Sequence, residues 1–488
     1  DRIVIAGGRV GRDGIHGATF SSLEMNEDSP VSAVQLGDPL TQKRVWDFLL
    51  EARDENLFRA VTDNGAGGLS SSIGEMATLC GKIGGARMDV RHTCTKYPGL
   101  LPYELVISES QERMSFAVQP EKLSRFLELA HARGVECSVL GEFTESGRFT
   151  IEYDGKIIGD LSLEFLHDGC PTLKLSAQVK KPKPIPAVVS EKLARENTPD
   201  QLLQKLSAAN TRSRREIVEQ YDHEVQARTV RKPYGTPNRA APNDGATLRI
   251  SRESFEGVAV GLGLAPALAE FDPKAAAEMS LDEAVRNAVA AGMDPAHAAL
   301  VDNFCWPDPL PAPHNPDAEE KLGALVVTCK VIHDLSVALE MPFVSGKDSM
   351  KNDYRMGNVK ISVPPTLLVT AMGKVHDVRT VPRGYFAAGS EIFWVSGDLP
   401  RLKDFYRAVH ELIRSDLIDS IHDVSDGGWL TTTAEMLLGT GLSAGLKAAK
   451  GDLFAEPLAS FVLAPRIKRE EDVYQALSAF NVRRVGQV

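Results

Sequence analysis

Two stretches decide the fold: "TDNGAGGLSSSIGEM" at residues 62–76 and "HDVSDGGWLTTTAEM" at residues 422–436. Each sets an aspartate at the end of a strand-like run ("RAVTD", "DSIHD"), then a glycine pair, then a helical stretch. Asp63, Gly67-Gly68 and Glu75-Met76 recur 360 residues later as Asp423, Gly427-Gly428 and Glu435-Met436. The same offset carries Gly37-Asp38 to Gly397-Asp398. The helices that follow also correspond: Val45, Phe48, Leu49 and Ala52 form an i, i+3, i+4, i+7 stripe that Phe405, Ala408, Val409 and Leu412 repeat. After the first glycine pair, Leu69, Ile73, Met76 and Cys80 share one helix face. Further on, "FAVQPEKLSRFLELAHARGVECSVLGEF" is echoed by "FVLAPRIKREEDVYQALSAFNVRRVGQV" at a shorter offset. The first and last parts of the chain therefore read as copies of one α/β module, with a different module between them.

The repeated loop has a chemical reading. A carboxylate at a strand end, beside exposed backbone N–H groups, can hold Mg²⁺ while the helix N-terminus faces an anion. The alternative is an aspartate that caps the helix, with glycines serving only the turn.

The bulk composition narrows the function classes. The net charge of −11 argues against a general nucleic-acid or acidic-membrane surface. No apolar run approaches bilayer length, and no signal-peptide pattern stands at the start. The six cysteines form no C-x-x-C pair, so neither a zinc site nor a disulfide framework is indicated, and a reducing cytoplasm is expected. The chain opens without Met one residue before a strand and stops on a strand-like "RRVGQV", so a fragment or processed chain is expected.

Four segments follow: 1–178, the first α/β copy; 179–240, a linker opening on the stiff "KKPKPIP" with a helix over "RREIVEQYDHEVQ"; 241–382, the middle module; and 383–488, the second copy, expected to be truncated. In the middle module, "FDPKAAAEMSLDEAVRNAVAAG" reads as a helix with an Asp-Pro start and an apolar stripe. Glu283 and Asn287 are four apart on it and are oxygen donors suited to Mg²⁺; the alternative is an ordinary side-chain pair. "LVDNFCW" and "FVSGKDSM" are apolar runs ending in polar residues, where α/β proteins place chemistry. "GKDS" lacks the upstream glycine of a Walker A loop, "GLGLAP" fails the dinucleotide fingerprint, and no cysteine sits in a nucleophile elbow. The loop "IAGGRVGRDGIHGATFSS" at 5–22 has two readings: backbone N–H groups with Arg9 or Arg12 meeting a phosphate, or a rigid hinge in which Asp13 and the arginines form ion pairs.

Taken in order, "GGRVGRDGIHGATFSS", "AVQLGDP", "TDNGAGGLSSSIGEM", "LPYELVISESQERM", "YDHEVQARTV", "VDNFCWPDP", "FVSGKDSM" and "HDVSDGG" resemble phosphoribosylformylglycinamidine synthase, the synthetase of purine biosynthesis, over essentially the whole chain. The resemblance implies a mixed α+β and α/β fold of tandem aminoimidazole-ribonucleotide-synthetase-like (PurM-like) modules, each a ferredoxin-like half followed by an α/β C-terminal-type half. This chain is then second half, linker, first half, second half, without the N-terminal domain that carries the family's catalytic histidine, an ATP-contacting lysine and further Mg²⁺ ligands.

The implied reaction is ATP-dependent: the amide oxygen of formylglycinamide ribonucleotide is phosphorylated, and ammonia from a glutaminase subunit or domain displaces phosphate from the iminophosphate. The implied cofactors are ATP and Mg²⁺. By resemblance, Gln35, Glu109, Ser110, Gln111 and Ser349 meet substrate, Asp302 and Gly346 meet nucleotide, and Asp63 holds Mg²⁺. Glu283, Asn287 and Asp423 resemble the metal ligands of an auxiliary nucleotide site that Ser425 touches. Lys347 stands where many members have a metal-binding Asn, with Asp348 as its substitute. The second copy has "EPLAS" in place of "ESQ", so it is not expected to bind the same substrate. His16 is not the family's base, and His422 is expected to be a structural histidine. Other readings are a related single-copy enzyme of the superfamily or a catalytically silent nucleotide-holding scaffold. The ferredoxin-like halves of the superfamily pair through their sheets, so an apolar sheet face is expected to be exposed within 241–380 and to drive homo-oligomerisation.

Overall fold

A computed structural model describes residues 1–15, 24–27, 37–184, 198–220, 224–236, 238–243, 245–357, 359–447 and 453–488. Gln35 and His16 lie outside these residues, as does Tyr221-Asp222-His223. The chain divides into two compact units, Asp1–Lys174 with Tyr354–Lys360, and Leu175–Asp353 with Ile361–Val488.

The first unit is built on a seven-stranded sheet of order β2-β4-β1-β5-β3-β6-β7. Its strands are β1 (Arg2–Gly7), β2 (Ala60–Asp63), β3 (Ala86–Asp89), β4 (Arg113–Val118), β5 (Cys137–Phe143), β6 (Arg148–Tyr153) and β7 (Lys156–Ser162). Its helices are α1 (Pro39–Asp54), α2 (Gly68–Thr78), α3 (Pro102–Ile107), α4 (Leu123–Ala132) and α5 (Leu163–Asp168). Alternation along β1 shows why both faces are covered. Ile3 and Ile5 enter the core beneath α2 and α3, and Val4 and Ala6 enter the core beneath α1 and α4. Phe48, Phe116 and Phe126 meet edge-on in the second of these cores. Helix α1 begins at Asp38, whose carboxylate accepts the N–H groups of Leu40 and Thr41. Leu69, Ile73 and Met76 are buried on α2, but the helix ends at Thr78, so Cys80 lies beyond it.

In the second unit, α6 (Thr198–Ser207) and α7 (Arg215–Val218) precede three short strands, β8 (Thr229–Arg231), β9 (Tyr234–Gly235) and β10 (Ala241–Pro242). The long helix expected over "RREIVEQYDHEVQ" is thus only one turn among the described residues, where a basic and acidic run offers no apolar stripe to bury. At the start of the expected linker, Lys183 N–H bonds the Phe271 carbonyl, and just before it Gln178 N–H bonds the Glu319 carbonyl.

The middle module follows as β11 (Gly245–Arg249), β12 (Gly257–Leu264), α8 (Pro266–Ala269), α9 (Pro273–Ala290), β13 (Ala298–Cys305), α10 (Ala318–Leu339), β14 (Phe343–Ser349), the hairpin β15 (Asp353–Met356) and β16 (Val359–Ser362), and β17 (Thr366–Val375). Its sheet has the order β14-β13-β17-β12-β11-β8. Gly261 and Gly263 let α9 lie on β12 so closely that an added Cβ would stand 2.4 Å and 2.0 Å from the backbone of that helix. The opposite face carries Leu248, Leu262, Leu264 and Met372, all exposed. An exposed apolar sheet face is thus present where the sequence predicts one. Helix α10 corrects another expectation. Its 22 residues are long and apolar enough to cross a membrane by length and composition, because the run is rich in Ala, Val and Leu. Yet it carries five charged side chains, and Thr328, Ile332, Leu335 and Leu339 bury against the core.

The chain ends in β18 (Glu391–Ser396), α11 (Leu402–Arg414), β19 (Ile418–Asp423), α12 (Gly428–Leu437), β20 (Gly445–Leu446), β21 (Ser460–Pro465), α13 (Glu470–Ala476) and β22 (Asn481–Gln487). Its sheet order, β19-β21-β18-β22-β20, reproduces β2-β4-β1-β5-β3 of the first unit. The register agrees too: Asp63 pairs with Met114 on β4, and Asp423 pairs with Phe461 on β21. Phe405, Val409 and Leu412 of α11 join Leu281 and Val285 of α9 in one continuous core.

Candidate functional site

In the first unit, β2 delivers Asp63 to an exposed loop. Its carboxylate accepts the Gly65 N–H at 2.8 Å and does not cap α2, whose N-cap is Gly67 in the left-handed region at φ 77°. Gly68 follows at φ 55°, and a Cβ there would stand 2.3 Å from the Ser108 carbonyl oxygen. Two successive left-handed residues, one pressed on a neighbouring backbone, are what the glycine pair supplies. The segment before β4 closes on this loop, with Gly67 N–H donating to the Glu109 carboxylate at 3.2 Å. Ser110 is buried, accepts the Gly11 N–H at 2.9 Å and donates to Asp13. Arg113 holds the segment from beneath, donating to the carbonyls of Ser110 and Ser108. Burial pushes its guanidinium down to about 10, and its Nη1 finds no partner.

Both arginines of the N-terminal loop are engaged. Arg9 forks onto Glu136, and Arg12 pairs with Glu104, while Asp13 takes Lys96. Among the described residues of that loop, Asp13 and both arginines are thus in ion pairs, each with a partner outside the loop. Beside it lies a cavity of about 390 Å³ bounded by Gln111, Arg9, Arg44, Lys96, Asp38 and Glu112. Of Glu109, Ser110 and Gln111, the residues expected to meet substrate, Gln111 alone lines this cavity.

In the second unit, the parallel pairing of β13 with edge strand β14 sets Asp302 opposite Gly346. A Cβ on Gly346 would be 2.0 Å from the Asp302 carboxylate, so the glycine opens that approach. Asp348 lies two residues along β14 and shares this face, whereas Lys347 and Ser349 point to the other. Asp348 therefore joins Asp302 and Gly346, not the position that Lys347 fills. Burial, then the Asp348 charge, raises the Asp302 carboxyl. Two hard oxygen donors on one strand face, one of them resisting ionisation, are a fitting set for Mg²⁺.

A second cluster is more enclosed. Asp423 is 2% exposed. Its carboxylate accepts a hydrogen bond from Ser425, and His422 Nδ1 stands 3.1 Å from its Oδ1 and 3.0 Å from its backbone carbonyl oxygen, with His422 Nε2 3.2 Å from the Pro242 carbonyl. Burial opposes the Asp423 charge, but His422, Arg286 and Ser425 hold the carboxyl well below the usual range. Glu283 accepts the Leu264 N–H at 2.8 Å, and Asn287 donates to the Leu262 carbonyl at 2.9 Å. Burial pushes the Glu283 carboxyl up to about 8, and the Asn287 Oδ1 is buried with no partner. These two oxygen donors, one turn apart on α9, fit a divalent cation.

The sequence reading missed the centre of this cluster, Arg286. It is fully buried and donates to Asp282 at 2.7 Å and to Glu456 at 2.5 Å, with Asp423 3.7 Å away. Burial alone would lower its affinity for the proton, and the surrounding carboxylates more than reverse that. Tyr406 donates to Asp282 from α11. The signal was available, because Asp282 and Arg286 have the same four-residue spacing as Glu283 and Asn287 one step along.

Comparison with known proteins now decides the family. The family described as AIR synthase related protein, C-terminal domain, matches residues 1–154 and 388–482, the two copies of the repeat. The phosphoribosylformylglycinamidine synthase subunit PurL of Ignicoccus hospitalis is 32% identical over 529 aligned positions, covering 100% of this chain and 70% of its own length. The chain belongs to the PurL family. The PurL subunit of Pyrococcus abyssi is 34% identical, covering 89% of the chain and 61% of that protein. The solved structure of T. maritima PurL complexed with FGAR matches the whole chain and 71% of its own, at a TM-score of 0.74 and 25% identity. The chain therefore spans about two thirds of the length of these relatives. The tandem PurM-like architecture expected from the motifs is the one found.

Proposed function

We propose that the chain is the body of an ATP-dependent amidine synthase that converts formylglycinamide ribonucleotide to formylglycinamidine ribonucleotide in purine biosynthesis. The observation that supports this most is the closure of Glu109 onto the Asp63 loop, with its neighbour Ser110 tied to Gly11 and Asp13, which gathers the positions that resemble the family's substrate and metal residues at one sheet edge. An amide oxygen is a poor leaving group, and phosphorylation makes it a good one. Ammonia then attacks the carbon, phosphate leaves, and the amidine remains. In this reading Glu109, Ser110, Gln111 and Gln35 meet the substrate, as does Ser349, while Asp302 and Gly346 receive the nucleotide. Mg²⁺ bound by Asp63 or Asp348 would offset charge on the phosphoryl group in transit. Glu283, Asn287 and Asp423 with Ser425 hold a second nucleotide that does not turn over. A catalytic base and an ATP-binding lysine come from a ferredoxin-like domain docking on the apolar face of the middle module, and ammonia comes from a glutaminase subunit or domain. The six free cysteines accord with a reducing cytoplasm.

The test is ammonia-dependent ADP release with formylglycinamide ribonucleotide and Mg-ATP. The chain is assayed alone and with the N-terminal domain of a PurL relative added in trans. Turnover only on addition is the expected result. Silence in both assays, with Mg-nucleotide still bound tightly, would favour a scaffold instead.

A further inference from the structure

Away from both clusters, the second unit gathers three imidazoles around one carboxylate. Asp294 lies in the turn between α9 and β13. Its Oδ2 is 2.8 Å from His297 Nδ1 and 2.7 Å from His376 Nε2, just past the end of β17. The ligand atoms of these three residues all lie within 4.8 Å of one another. His410, on α11, brings its Nε2 to 3.9 Å from the other Asp294 oxygen. Its ring is 5% exposed and its Nδ1 has no partner. Two ring nitrogens converge on one carboxylate oxygen. With bonds of about 2.0–2.1 Å, the donors need to part only slightly to admit an ion. Nitrogen-rich donors of this kind select zinc and its transition-metal neighbours over Mg²⁺. His297 and His376 are partly exposed, so an ion has a path in.

We propose that Asp294, His297 and His376, with His410 as the nearby fourth group, form a binding site for a divalent transition metal such as Zn²⁺, which ties the middle module to α11. This site shares no residue with the proposed active or auxiliary nucleotide sites and stands independently of the proposed reaction. The backbone around it is prepared: Asp294 N–H bonds the Lys374 carbonyl, Lys374 N–H bonds the His297 carbonyl, and Ala296 N–H bonds the Asp294 carboxylate.

The full chain, stripped with chelator and held in excess Mg²⁺ to fill oxygen-donor sites, is titrated with Co²⁺. One equivalent is expected to bind with the intense visible bands of low-coordinate cobalt, and Zn²⁺ is expected to displace it and raise Tm. His297→Gln and His376→Gln, which leave a side chain able to hydrogen-bond Asp294, should each weaken binding by about 10–100-fold or more and abolish the Tm response. His333→Ala, an exposed histidine on α10, should change nothing. Absence of binding, bands that persist in the double variant, or thiolate-to-cobalt charge transfer from a cysteine would each overturn the proposal.

Discussion

The two repeated loops share a backbone and differ in what surrounds it. Both place an aspartate at a strand end and a pair of left-handed glycines before a helix, in the same sheet register. That register makes Glu456 the counterpart of Glu109, since each precedes by five residues the strand partner of its aspartate. In the first copy, Asp63 is exposed and the Glu109 carboxylate accepts the Gly67 N–H of the loop. In the second, Asp423 is sealed and Glu456 is held by a buried arginine from the neighbouring module. A duplicated scaffold has thus kept its backbone while the aspartate of one copy is exposed and that of the other is enclosed among charged partners.

The sharpest way to break this comparison is to remove the buried arginine. Arg286→Met strips the counter-charge from Asp282, Glu456 and Asp423 and should cost about 3–5 kcal/mol in urea unfolding, since unpaired buried carboxylates are left behind. A cost below about 1 kcal/mol would show that the second copy is not held by charge.

The shared backbone makes the next prediction. Gly68→Ala and Gly428→Ala each force a Cβ onto a left-handed residue, 2.3 Å from the Ser108 oxygen and 2.5 Å from the Phe454 backbone. Each should lose about 1–3 kcal/mol, to a similar extent in both copies. Unequal losses would mean that the loops are less alike than their register.

The pH dependence separates the copies more finely. Glu283 binds its proton more tightly folded, at about 8, than unfolded near 4.5. Over that window the folded state holds the extra proton, so stability falls as pH rises. Glu283→Gln should flatten this decline in unfolding free energy between about pH 5 and 8. Mg-nucleotide, which requires the carboxylate, should reduce the decline in the wild-type chain.

How much of this was legible in the sequence follows the same division. The repeat, the capped helices and the α/β halves were readable because period-2 and period-3.6 burial write themselves into neighbouring residues, as at Ile3–Ala6 and Val45–Ala52. The Glu109 segment was legible through motif order. Arg286 was legible only through its four-residue spacing from Asp282, because its other partner, Glu456, lies 170 residues away and only folding brings the two together. The cluster on Asp294 was hidden for the same reason: its histidines come from a turn, a strand end and a distant helix. Helix α10 was passed over as an apolar run of bilayer length, because charged residues near its start and in its middle interrupt the Ala, Val and Leu positions.

The most direct test of the open and closed copies is ammonia-dependent ADP release by Asp63→Asn and Asp423→Asn, each in the complemented preparation and normalised to folded protein. Asp63→Asn keeps the hydrogen bond to Gly65 and should fold within about 0.5 kcal/mol of wild type, yet lose nearly all turnover. Asp423→Asn should lose stability and retain turnover in proportion to the protein that remains folded. Full activity in Asp63→Asn, with turnover abolished in folded Asp423→Asn, would place the chemistry in the wrong copy and contradict the account.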